Sequence, residues 1–460
     1  MRYTDFVLWA TEAQVIKAEG KKRLTFTVQV PGALGESMKC ELDFRALDDL
    51  NGKAKGADAD WSDVRSLGEA LAVALLPSNV WNALNNRITQ AAAAQEGVRV
   101  RLMFSGSELA NWPWEFIVFN RGGGESKVSD FLALMPNVSL VRHSATPLPA
   151  WRIEAKTPLK VMVAVASPAG WPKLKVADER AIVVKALAGS SRLTVDSVDH
   201  AGPSELPNKM KPAHLFHFAG HGKFEAVQSA VPGANEGKAS IILEDEYGDE
   251  KTLDAELLAV QLRDAGVRVA VLGACQTAQR DDVGAWSSVA EALLKAELGA
   301  VVGMQFPVRD TSALAFAERF YASLALGLSI DEAVSAGRVA VALLEDPRGW
   351  ATPVLYLRSP DGVIFSELAS DPTLEAARQE AMITAHAKIK TLKGKSTVVK
   401  VDHVDRGSSI HATHDIDTVE AGGEATTVVI GTLGGGSVDT RQEIDEVKGK
   451  ATGLSIDKLG

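Results

Sequence analysis

His221 and Cys275 are the residues of this chain whose types and surroundings could support nucleophilic catalysis. His221 lies between Gly220 and Gly222 in the apolar run Ala213–Phe224 (AHLFHFAGHGKF), and Cys275 lies in Val269–Ala278 (VAVLGACQTA). A cysteine attacks as its thiolate, which a nearby imidazole or a helix N-terminus makes available at neutral pH. The expected reaction is acyl transfer. His221 acts as base and then as acid to the leaving amine, and Cys275 forms a thioester that water hydrolyses. The flanking glycines suggest an imidazole with little steric cover, and Gly273 and Ala274 leave room for a substrate to approach. The amides of Gly222 and Cys275 are candidate donors to a developing oxyanion.

Such a pair needs a scaffold that delivers both turns to one place. After Thr146–Pro149 the chain alternates strands and helices, starting with the valine-rich run Val161–Ala166, as expected of a strand buried on both faces. Helix Lys175–Ala188 and strands Arg192–Val198, Ala213–Phe218 and Ala239–Leu243 follow, then helix Leu253–Asp264 and strand Val267–Gly273. Helix Ser287–Glu297, strand Ala300–Gln305, helices Ser312–Leu326 and Ile330–Leu344 and strand Pro353–Arg358 complete the set. This alternation implies a largely parallel sheet covered on both faces by helices. In such sheets sites lie beyond the carboxyl ends of strands, where His221 and Cys275 both fall.

Residues 1–150 read as an α+β domain. Lys22–Val30 and Met38–Phe44 alternate as an antiparallel pair, Ser66–Leu76 and Val80–Ala92 have helical spacing, and Val98–Phe104 alternates with its arginines on one face. Trp112–Glu115 lies in an aromatic-rich stretch and reads as packing. Cys40, inside an alternating strand, also reads as a packing residue. Residues 367–460 form a tail with a polar helix from Asp371 to near Thr391. Short strands Thr397–Val401, Ser409–Ile416 and Thr426–Ile430 then lie between glycine turns, and the last residues look polar and frayed. The tail's strand edges could stack with copies of themselves or a partner.

Bulk properties narrow the function classes. The 460 residues are 46% hydrophobic, an ordinary value for a globular protein. A net charge of −10 argues against non-specific binding to nucleic acid or anionic membranes. No apolar run reaches the roughly 18–20 residues needed to span a bilayer, and the N-terminus does not read as a secretory signal. With only two cysteines there is no disulfide framework, which points to a cytoplasmic setting. No cofactor is expected.

His217-Phe218-Ala219-Gly220-His221-Gly222 together with Leu272–Ala278 (LGACQTA) resembles the paired signature of CHAT domains, cysteine peptidases of the caspase, gingipain and separase clan. The resemblance extends through Ala300–Asp310, Asp346-Pro347-Arg348 and Thr352–Leu357, and upstream to the Trp112–Glu115 element, covering roughly residues 95–366. It implies a caspase-like α/β fold over 151–366 with His221 and Cys275 as the catalytic dyad. It also implies a bacterial defence or cell-death context, with a protein substrate such as a gasdermin-like effector. Asp310 resembles a position near the S1 pocket of separase-like members, where an acidic group would favour a basic P1 residue. The alternative is that Asp310 caps the helix beginning near Thr311. Gln276 is a further substrate-binding candidate. Gly273 departs from the pattern, because several basic-specific clan members carry Asp there.

The remaining candidates are bland. Strand alternation sends His214 and His217 to opposite faces, against a metal site with His221. In the tail His403, His411 and His414 lie near Asp415 and Asp417, and exposed polar strands explain them more simply than a bound ion. The loops Thr277–Ala285, with Arg280, Asp281 and Asp282, and Ser229–Lys238 could border the cleft. A competing reading is an adaptor whose dyad is idle and whose tail binds partners.

Overall fold

Two kinds of apolar pattern build the main sheet, and they appear in chain order. The first third contributes β1 (Tyr3–Ala18), β2 (Lys21–Gln29), β3 (Met38–Asp43), β4 (Gly97–Phe104) and β5 (Val138–His143). Next come β6 (Leu159–Val165), β7 (Leu193–Val198) and β8 (Leu215–Ala219). A separate small sheet follows, made of β9 (His221–Ala226), β10 (Gly237–Glu244) and β11 (Glu250–Asp254). The chain then returns to the main sheet with β12 (Val269–Gly273), β13 (Ala300–Met304) and β14 (Pro353–Leu357). The computed structural model describes residues 2–18, 21–32, 37–56, 58–105, 107–120, 124–143, 157–226, 237–273, 285–306, 308–359, 362–365, 384–392, 395–404, 409–419, 424–433, 437–447 and 450–459.

The main sheet has the order β3-β2-β1-β4-β5-β14-β13-β12-β8-β6-β7. Its pairs are parallel except at β1–β2, β2–β3 and β13–β14. Strands from both sides of residue 150, the boundary expected from the sequence, therefore share one sheet. The chain divides instead into two compact units, Met1–Ala369 and Ser370–Gly460.

Period-two geometry explains why the central strands are apolar at nearly every position, with Lys160 in β6 and His217 in β8 as the exceptions. Val161, Val163, Leu215, Val269 and Val271 join one core with Val183, Phe316 and Phe320, from the helices Val176–Leu187 and Asp310–Ala325. The intervening Met162, Phe216, Ala270 and Leu272 join a second core with Leu258, Leu262, Val289 and Leu293, from Ala255–Ala265 and Ala285–Lys295. A strand covered by helices on both faces must satisfy two dry interfaces, so no face remains for polar side chains.

The charges that β4 carries into the interior are paired. Arg99 and Arg101, two residues apart in β4, are both buried. Arg99 Nε donates to Asp331 Oδ2 at 2.8 Å, and Arg101 Nε donates to Asp5 Oδ2 at 2.8 Å. Trp112–Glu115 is packing, as its aromatic content suggests: Trp114 is fully buried and stacks on Phe104 at 5.3 Å. Glu115 accepts from Arg142 Nε at 3.0 Å and from Gln305 Nε2 at 2.8 Å, tying this element to the end of β13.

The second unit is a stack of three strand pairs: β15 (Thr384–Leu392) and β16 (Lys395–Val404), β17 (Ser409–Val419) and β18 (Glu424–Leu433), β19 (Ser437–Val447) and β20 (Lys450–Leu459). Odd and even strands form two parallel three-stranded sheets. The register runs Thr384↔His411↔Asp439 in one and Lys395↔Glu424↔Lys450 in the other. The helix expected to reach Thr391 is therefore corrected from Thr384 onward, where Ala385, Ala387 and Ile389 alternate with His386, Lys388 and Lys390 in a period of two. The terminal residues expected to fray form β19 and β20, because parallel neighbours supply the backbone partners that the polar sequence alone does not reveal.

Candidate active site

β8 and β12 are adjacent and parallel, with His217 opposite Val271 and Ala219 opposite Gly273. Adjacent strands lie about 4.8 Å apart, so the two chain exits that follow Ala219 and Gly273 start as neighbours. Gly220 makes the first exit possible. A Cβ there would lie 2.5 Å from Phe218 Cζ and 3.0 Å from the Ala166 carbonyl oxygen, so no larger residue fits without displacement. His221 follows as the first residue of β9, opposite Ile242 of β10.

The His221 ring is covered, contrary to the open presentation expected from its glycine neighbours; the residue is 0% exposed. The Trp171 ring lies against it, with centroids 4.9 Å apart and planes inclined by 35°. Its Nε2 is 2.8 Å from the Pro172 carbonyl oxygen. A carbonyl only accepts, so Nε2 carries the hydrogen, and in the neutral ring the basic lone pair is on Nδ1. Burial lowers the His221 pKa from its ordinary value, with the Pro172 hydrogen bond opposing in part. The neutral ring, which is the form a general base needs, is thereby favoured.

Beneath the second exit lies a buried chain of polar groups. His217 Nε2 donates to Glu179 Oε1 at 3.0 Å, and its Nδ1 is 3.0 Å from the Tyr321 hydroxyl. Glu179, His217 and Tyr321 are all buried. Burial, with Glu179 second, pushes the Tyr321 pKa well above its ordinary value, so the phenol keeps its proton. A side chain at Gly273 would collide with Glu179 Oε1. The absence of Asp from position 273 thus has a steric reason: a carboxylate from another helix already occupies that space.

Cys275 and Gln276 lie outside the described residues, as do Arg280, Asp281 and Asp282 and most of Ser229–Lys238. Gly222 lies in β9 opposite Ile241. Asp310 is the first residue of the helix Asp310–Ala325, with Arg309 at the capping position. Its carboxylate therefore sits in the first turn, where the helix dipole favours negative charge, one residue inside the cap. His214 and His217 have different partners: His214 Nδ1 accepts from the Lys160 amide at 2.9 Å, and His217 contacts Glu179 and Tyr321. Among the described residues no His, Cys, Asp or Glu cluster is arranged to hold a metal ion, and the tail histidines His403, His411 and His414 lie outside the described side chains. Cys40 is a buried free thiol whose pKa is pushed up to about 11 by desolvation, which makes it inert.

Four residues at this site were not singled out from the sequence. Trp171 and Pro172 sit in a loop whose sequence, Pro-Ala-Gly-Trp-Pro, signals only a turn. Glu179 was legible in principle, since it occupies the buried stripe of its helix with Val183 and Leu187 at intervals of four. A carboxylate in an apolar stripe calls for a partner. Tyr321 reads as an ordinary core aromatic, and only the sheet brings it to His217.

Residues 65–358 match the CHAT domain family. No curated protein matches the chain. Among solved structures, it is similar to the Saccharomyces cerevisiae separase–securin complex at 3.0 Å resolution, with 17% identity and a TM-score of 0.33 over 61% of this chain and 17% of that one. It is also similar to the same complex at 2.6 Å resolution, with 12% identity and a TM-score of 0.32 over 72% of this chain and 20% of that one. The chain therefore spans 17% and 20% of the lengths of those two proteins.

Proposed function

The chain belongs to the CHAT domain family of caspase-like peptidases, and from that premise we propose that it is a cysteine endopeptidase using His221 and Cys275. The observation that carries the reading is the pairing of Ala219 with Gly273. His221 follows the first by two residues and, along the sequence, Cys275 follows the second by two, which supports the reading that base and nucleophile follow the ends of adjacent parallel strands. In this reading the Nδ1 lone pair of His221 takes the Cys275 thiol proton, and the thiolate attacks the scissile carbonyl. The amides of Gly222 and Cys275 receive the oxyanion. The protonated imidazole then returns its proton to the leaving amine, and water hydrolyses the thioester.

The substrate is a protein, cleaved as a switch in a bacterial defence or cell-death response in the cytoplasm, with a gasdermin-like effector as the model target. Asp310 and Gln276 would contribute to the substrate cleft, and Asp310 would favour a basic P1 side chain by charge pairing. Among the described residues no helix is long and apolar enough to cross a membrane. A peptidyl thiol-reactive probe tests the reading: mass spectrometry should place the label on Cys275, with none on Cys275→Ala. Labelling of Cys40 alone would refute it.

The tail is assigned to self-association through its parallel rungs. Deletion after Phe365 should lower the number of copies per particle measured by light scattering, and an unchanged oligomeric state would remove that assignment.

A further inference from the structure

Trp171 and Glu250 belong to no step described so far, yet both are tied to the base. The loop from Ser167 to Lys175 leaves the carboxyl end of β6 and crosses to the β10–β11 hairpin, which holds it at three points. The Ser167 amide donates to the Glu244 carboxylate, the Ala169 amide donates to the Gly248 carbonyl at 2.8 Å, and the Trp171 indole Nε1 donates to Glu250 Oε2 at 2.9 Å. β10 is also the strand that pairs with β9, placing His221 opposite Ile242. The imidazole, the carbonyl that accepts from it and the indole against it thus hang on one three-stranded sheet.

We propose that Trp171 is a positioning residue for His221, favouring its protonated form during acyl transfer, and that Glu250 holds the indole in place. This rests on the reading of His221 as general base. Pro172 fixes one edge of the ring through Nε2. The indole, with its centroid 4.9 Å from that of the imidazole, lies against the ring, so the hydrogen bond and the aromatic contact together constrain its orientation. The imidazolium formed on proton abstraction is a cation over an aromatic ring, an arrangement that is attractive in a partly dry site. Burial opposes that charge, so the indole narrows the gap between the two protonation states. Glu250 is exposed and bonds the indole's Nε1, so its influence on the ring passes through Trp171.

The test is a titration of His221 by NMR in ring-labelled protein, assigned with His221→Gln. Trp171→Leu keeps an apolar cover but removes the aromatic face, and it should lower the His221 proton affinity roughly tenfold. Trp171→Phe should retain most of the wild-type value, and unchanged shifts for His200 and His214 would show that either variant is folded. Glu250→Ala should weaken proton binding in the wild-type background and have no effect in Trp171→Phe, which lacks the indole donor. An unchanged titration in Trp171→Leu, or an equal Glu250→Ala effect in both backgrounds, would overturn the proposal. The readout needs no turnover, so a protein that fails to label at Cys275 would count against the peptidase reading and not against this one.

Discussion

Alanine at His221 should lower kcat/KM for a cleavable peptide by roughly 10²–10⁴-fold, the usual contribution of a positioned general acid–base. The structure also sets the pH at which the wild type works. Burial favours the neutral imidazole and lowers its pKa from the ordinary histidine value. A lowered pKa means that the base stays unprotonated as the medium becomes acidic. The acid limb of the kcat/KM profile should therefore lie below about pH 6.5, the unperturbed midpoint. His221→Ala should lose that limb together with the rate. The Nδ1 assignment adds a second expectation: His221→Asn can still donate toward the Pro172 carbonyl but has no basic nitrogen, so it should be as inactive as the alanine variant. Full activity in either variant would rule out His221 as the base.

Removing the carboxylate of Glu179 should be the most damaging of the substitutions for stability. Glu179→Ala leaves His217 buried with one of its two polar partners gone. Leaving the buried His217 N–H without its carboxylate acceptor costs about 1–3 kcal/mol, and the cavity left by the truncated side chain adds to it, together a large part of the roughly 5–15 kcal/mol typical of a native domain. Urea denaturation should show a lower midpoint with little change in slope. Gly273→Ala tests the same contact from the opposite strand. Its methyl collides with Glu179 Oε1, which cannot swing aside without leaving His217, so overpacking of about 1–3 kcal/mol is expected. The double variant should cost less than the sum, because the alanine at 179 vacates the space the methyl needs. Strict additivity would mean that Gly273 and Glu179 are not in contact.

Much of this architecture is legible in the residues because its strands carry their burial in their composition. Val161–Ala166 and Val269–Gly273 are apolar at every position, and only a strand covered on both faces has that need. The same regularity explains why the alternation of strand and helix indicates a parallel sheet, and why His221 and Cys275 fall beyond carboxyl ends. β15 was misread as helix because a short run with small residues at alternate positions carries a weak signal, and its parallel partners at Ser409–Val419 are distant in sequence. The unity of the first 369 residues was hidden for a related reason. β5 reaches its neighbour β14 across more than two hundred residues, and no local pattern encodes such a pairing.

His221 and Cys275 show where the division falls. Residue type, flanking glycines and position after a strand were enough to single them out, since those are local properties of the chain. The cover over His221, the choice of Nδ1 as the basic nitrogen, and the carboxylate standing where Gly273 has no side chain all depend on Trp171, Pro172 and Glu179. These residues precede His221 by roughly forty to fifty positions and reach His221 and Gly273 only when β6, β8 and β12 align. Chemistry that resides in one side chain can be read in order along the sequence; protonation and orientation depend on what surrounds that side chain, and tertiary packing alone supplies the surroundings.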